Sequence, residues 1–398
     1  MNSFLRDSSF SAASAGFVAV LVGFTSSVAI VFQAANAFGA TPGQIGSWMW
    51  ALGLGMGLCS LAASLWLRQP VMVAWSTPGA AVLATAGASG AFGMAEAVGA
   101  FMVCAALITL CGVTGWFEAI MDRIPIALAS ALLAGVLARF GMDAFLAAQS
   151  AFALVLLMLL AYLAGRRWWP RYAVPVVLVV GMVCAVAQGR MQAVSVPWSL
   201  TVPEFTAPQF TWRATLNLAL PLFVVTMASQ NLPGVAAIRS AGYSMPISKL
   251  ITLTGVATLI LAPFGAFALN LAAITAAICM GREAHPDPRR RYVAAAVSGA
   301  IYCLVGLFGA AVAGVLTSFP SELVSAVAGL ALLGSIGGGL AVAVKDETHR
   351  EAALITFLVT LSGFQWLGIG SAFWGIAAGA LALFVQQWRP RSKPPEIQ

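Results

Sequence analysis

Long apolar runs separated by short polar punctuation dominate this chain, and they predict helices that cross a membrane. A spanning helix needs about twenty apolar residues, and fewer where a segment is broken or buried in protein. On that measure we read segments at 10–34, 43–66, 70–90, 95–116, 124–140, 143–165 and 173–189. A polar, proline-containing stretch runs from Arg190 to Arg213, followed by segments at 214–238, 247–263, 264–281, 291–317, 320–344, 351–368 and 370–388. None shows the alternation over roughly ten residues that a membrane β-barrel requires. The expected fold class is an all-α integral membrane protein of 14 transmembrane segments, one polytopic domain over residues 1–398.

Two segments depart from a helical pattern. In Val71–Gly79, the residues Val71, Val73 and Trp75 favour extended backbone. Ser76 or Thr77 then suits an N-cap, and Pro78 suits a first helical turn, where its missing N–H costs nothing. Gly79 leaves room for another backbone or a ligand. This stretch predicts a short strand that becomes a half-helix within the apolar layer, a break tolerated where it lines a cavity or is buried in protein. Segment 264–281 reads similarly. An extended piece ends at Asn270, a favoured N-cap, and an Ala-rich half-helix carrying Thr275 follows.

Charge tests the count. The chain is 61% hydrophobic and 8% charged, with mean hydropathy +0.93 and net charge +7; a soluble domain carries about a quarter charged residues. With the N-terminus in the cytoplasm and fourteen crossings, seventeen of the twenty Lys and Arg residues fall on the cytoplasmic side. Only Arg139, Arg190 and Arg213 fall outside, which is the asymmetry the positive-inside rule describes. Omitting the third or the tenth segment alone inverts all that follows and destroys it, whereas omitting both leaves twelve spans. Both termini are therefore expected in the cytoplasm, and the surplus positive charge needs no nucleic acid.

An internal repeat points the same way. Pro125-Ile126-Ala127-Leu128-Ala129-Ser130-Ala131 returns 195 residues later as Pro320-Ser321-Glu322-Leu323-Val324-Ser325-Ala326, with Pro, Leu, Ser and Ala in register. An offset of seven spans is odd, so the copies would lie inverted: two repeats of seven, about 10–189 and about 214–388. The two half-helices would then begin near the midplane and face each other, which is where transporters place their substrate.

Helix N-termini aimed at one point favour an anion or an acceptor-rich neutral ligand. The polar residues at similar depth are Thr25, Ser26, Ser27 and Gln33 on the first segment, Ser76 and Thr77 on the third, Ser229, Gln230 and Asn231 on the eighth, and Asn270 and Thr275 on the tenth. Each has an alternative reading as a helix–helix hydrogen bond in lipid. None of the thirteen acidic residues falls clearly in mid-span. A cation would demand an intramembrane carboxylate, so this too favours an anionic or neutral substrate. Glu322, at the start of 320–344, is the acid considered for proton coupling, with a helix-dipole role as the alternative.

The six cysteines lie in apolar spans without a CxxC pair, and His285 and His349 lie in charged loops, so neither disulfide, metal nor cofactor is expected. The sequence has no phosphate loop, GxSxG, HExxH or dinucleotide fingerprint, so no enzyme is expected.

Trp75-Ser76-Thr77-Pro78-Gly79-Ala80-Ala81 and Ala228-Ser229-Gln230-Asn231-Leu232-Pro233-Gly234, with Ile238-Arg239 and Ala241-Gly242-Tyr243 beyond, resemble the BenE family of benzoate:proton symporters. The likeness in length and span pattern covers essentially the whole chain. It implies the uracil-permease-like architecture, with a core domain (10–116 and 214–317) and a gate domain (124–189 and 320–388) that move relative to each other. It also implies a substrate held between the two half-helices, and proton-driven uptake of benzoate or a similar aromatic carboxylate across a bacterial inner membrane. Relatives of that architecture often pair through gate domains, which suggests a homodimer. Nucleobase-carrying relatives hold their substrate with acidic residues on segments 8 and 10; here Gln230, Asn231, Asn270 and Thr275 stand instead. That fits an anion, and it means the relatives' proton route does not carry over. The competing readings are a transporter of another small anion or nucleobase-like solute, an anion channel, or a non-transporting receptor.

Overall fold

The computed structural model describes residues 6–25, 27–117, 125–169, 172–191, 199–282, 284–364, 366 and 371–387. Helices dominate. In chain order they are α1 (Phe10–Thr25), α2 (Val28–Ala37), α3 (Pro42–Leu67), α4 (Thr77–Gly87), α5 (Met94–Thr114), α6 (Ile126–Leu146), α7 (Phe152–Trp168) and α8 (Ala173–Ala187). Next come α9 (Trp212–Arg239), α10 (Ile247–Leu261), α11 (Ile274–Met280), α12 (Tyr292–Leu307), α13 (Gly309–Thr317), α14 (Ser321–Ala343), α15 (Arg350–Leu361) and α16 (Ser371–Gln387). Among the described residues, seven helices are long and apolar enough to cross a membrane, or eight if α12 and α13, bent by 72°, form one span. The protein is therefore a mostly helical, multi-span membrane protein.

Three breaks interrupt these helices, and two of them have a local cause in proline. The first apolar run, expected as one helix, divides at a turn at Ser27. Helix α9 contains two π turns, Thr215–Ala219 and Met227–Asn231. A proline follows each by two residues: Pro221 and Pro233 cannot donate to the carbonyls of Asn217 and Ser229, so the ladder widens there. The second of these distortions lies just upstream of Pro233-Gly234.

Both predicted strands form. β1 (Val73–Trp75) and β2 (Leu269–Leu271) pair antiparallel, with Ala74 opposite Asn270. A two-stranded ribbon is marginal alone, and its outer edges would be costly away from water. Side chains of neighbouring helices satisfy those edges. The Val73 amide donates to Ser60 Oγ (2.9 Å) and the Trp75 amide to Met56 Sδ (3.1 Å), both on α3. Across the ribbon, the Leu269 amide donates to Thr258 Oγ1 on α10 (3.1 Å) and the Leu271 amide to Asn231 Oδ1 on α9 (2.9 Å).

Small residues let the helices close around this ribbon, as expected where apolar burial alone cannot drive association. Gly53 and Gly57 of α3 lie directly against Gly306 and Gly299 of α12. Gly234 meets the Leu271 backbone, where an added Cβ would stand 2.6 Å from the carbonyl oxygen. Helices α1–α5 pack chiefly with α9–α12, whereas α6–α8 pack chiefly with α14–α16.

Candidate functional site

A cavity of about 640 Å³ opens beside the ribbon, between those two sets of helices. The ribbon and half-helix side contributes Ala74, Trp75, Thr77, Pro78, Ala272, Ala273, Ile274, Thr275 and Ile278. Ser27, Ser229, Gln230 and Tyr302 come from around them, and Leu137, Tyr162, Arg166, Ala331 and Leu332 close the opposite wall. Among the described residues that line it there is one charged group, Arg166, and no carboxylate.

The two half-helices present different ends to this space. At α4 the Ser76 side chain caps the helix, as the sequence predicts: its Oγ accepts from the Gly79 amide (3.0 Å) and from Thr226 Oγ1 (3.0 Å). The Ala80 amide is bonded to the Ser76 carbonyl (2.8 Å), and Pro78 has no amide. The expected row of free N–H groups after Thr77 is therefore largely used by the protein itself. Ser76 is fully buried, and it and Gly79 lie behind the cavity wall; Thr77 is on it.

At α11 the expectation needs correction. Asn270 does not cap the half-helix; it lies in β2, opposite Ala74, and its Nδ2 donates to the Ala268 carbonyl (3.2 Å). The helix begins four residues later behind Ala273, without a side-chain cap. Strand pairing wins because each residue placed in the ribbon satisfies backbone groups that have no water to turn to, whereas a cap satisfies one amide. The first turn of α11 instead offers Thr275, 5% exposed, whose Oγ1 has no hydrogen-bond partner among the described residues.

The remaining candidates divide. Gln230 and Thr275 reach the cavity with Thr77. Asn231 does not. It is fully buried, with Oδ1 on the Leu271 amide and Nδ2 on Met227 Sδ (3.2 Å), so its carboxamide holds β2 rather than facing the space. Gln33 lines a second cavity, because α2 carries it six residues, or about 9 Å, past the turn at Ser27. Thr25 ends α1, and Ser26 lies outside the described residues. Glu322, in the first turn of α14, accepts from Ser150 Oγ (3.2 Å), pairs with Arg190 (3.4 Å) and lines neither cavity.

Three residues on the wall escape a reading of the sequence: Tyr302, Tyr162 and Arg166. The signal for the tyrosines is their scarcity, five in the chain, since a phenol inside a span needs a polar neighbour. Trp75 shows how such a need is met: its indole Nε1 donates to Ser27 Oγ (2.7 Å), tying the strand to the turn between α1 and α2.

Paired strands leading into half-helices beside a cavity, inside a multi-span helical body, define a transporter fold. The transmembrane domain of a cyanobacterium bicarbonate transporter, BicA, superposes with a TM-score of 0.56 over 95% of this chain and 96% of its own, at 14% identity. The overall structure of SLC26A9 gives 0.58 over 93% of this chain and 65% of its own, at 12% identity. Sequence similarity narrows the class. The family model "BenE: Benzoate membrane transport protein" matches residues 6–385. The benzoate membrane transport protein of Acinetobacter baylyi is 39% identical over 96% of both chains. Inner membrane protein YdcO of Escherichia coli is 50% identical over 93% of this chain and 94% of its own. This chain belongs to the BenE family of membrane transporters.

Proposed function

We propose that the protein is a proton-coupled secondary transporter that imports benzoate or a similar aromatic carboxylate by alternating access. It acts across a bacterial inner membrane and works as a carrier, not an enzyme. The observation that carries this reading is the unpartnered, buried Thr275 hydroxyl at the open end of α11, on a cavity wall that also bears Thr77 and Gln230 and no acid. These groups donate to the carboxylate, while Trp75, Pro78, Leu137 and Ile278 hold the ring. A buried donor without a partner is costly, so a ligand that supplies the acceptor binds with a gain.

Fourteen segments in two inverted repeats, with both termini inside, fit the charge asymmetry and the matched strand–half-helix units. The division of packing supports a core (10–116 and 214–317) moving against a gate (124–189 and 320–388), since the cavity lies between the two. Glu322 is engaged with Arg190 and lies away from the cavity wall, so in this reading the proton crosses with the substrate carboxylate.

Purified protein in liposomes tests the reading. Labelled benzoate should accumulate above equilibrium when the lumen is alkaline, and a protonophore should collapse the gradient. Simple equilibration would assign a channel, and binding without flux a receptor. Gln230→Ala and Thr77→Val should each raise the KM about tenfold, the weight of one lost hydrogen bond to a charged group. Wild-type kinetics in both would remove this site.

A further inference from the structure

The second cavity, of about 650 Å³, lies between α2 and α4 on one side and α6 and α14 on the other. Its wall combines aromatic rings from Phe32, Phe140 and Phe319 with donors from Gln33, Asn36 and Arg139. Phe140 and Phe319 are buried, whereas Arg139 and Asn36 are exposed. The Arg139 guanidinium lies over Gly363, where an added Cβ would stand 3.1 Å from Nη1. Arg139 makes no ion pair with any described residue, although Asp143, one turn away on the same helix, also lines this cavity.

We infer that this cavity is a second, outer binding site for an aryl carboxylate, with Arg139 as the carboxylate partner and the three phenylalanines as the ring pocket. A free guanidinium presents a planar fork that matches a carboxylate. The apolar rings beside it favour an aromatic acid over a small inorganic anion. Arg139 is one of three basic residues on the side that the charge asymmetry assigns to the outside, and a lone cation there attracts an incoming anion. Asp143 weakens that attraction, which suits a site that must release its ligand inward. Helix α6 borders both cavities, with Leu137 on the central one and Arg139, two residues on and so on a different face of the helix, on this one. The inference rests on the transport reading only for the identity of the anion and for the side the cavity faces.

The test reads the outer cavity directly, without transport. Asn36→Cys places a thiol on its wall, and labelling by a neutral, membrane-impermeant maleimide is timed with and without benzoate. The native chain, whose Cys184 and Cys303 are half-buried, supplies the background. Saturating benzoate should slow labelling about tenfold at the benzoate concentration where an added Arg139→Gln leaves less than about twofold protection, the weight of one charge-assisted hydrogen bond. Arg139→Lys should keep most of it. Protection should persist when Thr77→Val and Thr275→Val disable the central site. Three results each overturn the site: no protection with Arg139 present, equal protection in Arg139→Gln, or loss of protection in the central variant. Uptake failing while protection holds would instead count against the proposed function alone.

Discussion

The half-helices α4 and α11 begin at opposite ends of one two-stranded ribbon, yet they are stabilised in opposite ways. Helix α4 runs eleven residues and is secured at its N-terminus, where Ser76 caps it and Thr226 secures the cap. Helix α11 runs seven residues, starts without a cap, and is secured at its C-terminus. There the buried Arg291 donates from Nη1 to the Met280 carbonyl (2.7 Å) and from Nε to the His285 carbonyl (2.8 Å). A cation at a helix C-terminus also complements the macrodipole. The backbone amides at the start of α4 are largely taken up by the protein itself, leaving the Thr77 side chain on the cavity wall, whereas the Thr275 hydroxyl in the first turn of α11 has no partner among the described residues. Matching positions in two structurally similar units are thus held in place by different contacts.

The largest way to break this contrast is to release α11. Arg291→Gln should lower stability by about 2–3 kcal/mol, the weight of charge-assisted bonds to buried carbonyls, seen as a fall in melting temperature in detergent. Next, Asn231→Ala leaves the Leu271 amide without its acceptor and should cost about 1–3 kcal/mol. Asn231→Asp keeps that oxygen and should retain more stability; if Asn231 contacted ligand instead, both variants would melt like wild type and bind benzoate poorly. Smaller still, Ser76→Ala should cost about 1 kcal/mol as a lost cap while leaving benzoate affinity within about twofold. A large affinity loss at Ser76 would mean that the capped backbone end of α4, and not only the Thr77 side chain, contacts the ligand.

Much of the ribbon was legible in the sequence. β-Branched and aromatic residues before Ser76-Thr77-Pro78 specify a strand, a cap and a first turn by rules that act within a few residues. Asn270 misled because its preference for a cap is equally local, while its place in β2 is decided by Ala74, almost two hundred residues away in the chain. Asn231 misled for a related reason. An amide beside a proline-distorted turn is consistent with a ligand donor, and only the packing of Gly234 on Leu271 brings it instead to a strand amide. Gln33 was displaced by a break at Ser27 that no proline or glycine announces. Tyr302 and Arg166 reach the cavity through helix packing, which periodicity does not encode.

In the proposed site the Thr275 hydroxyl at the start of α11 donates to the carboxylate beside Thr77 and Gln230. Calorimetric titration of benzoate into the purified wild type and the Thr275→Val variant tests it most directly. The account predicts about a tenfold rise in Kd for the variant, one hydrogen bond to a charged group, with a melting temperature equal to or above wild type, because no protein group loses a partner. An unchanged Kd, or a loss of affinity that only accompanies a fall in melting temperature, would contradict it.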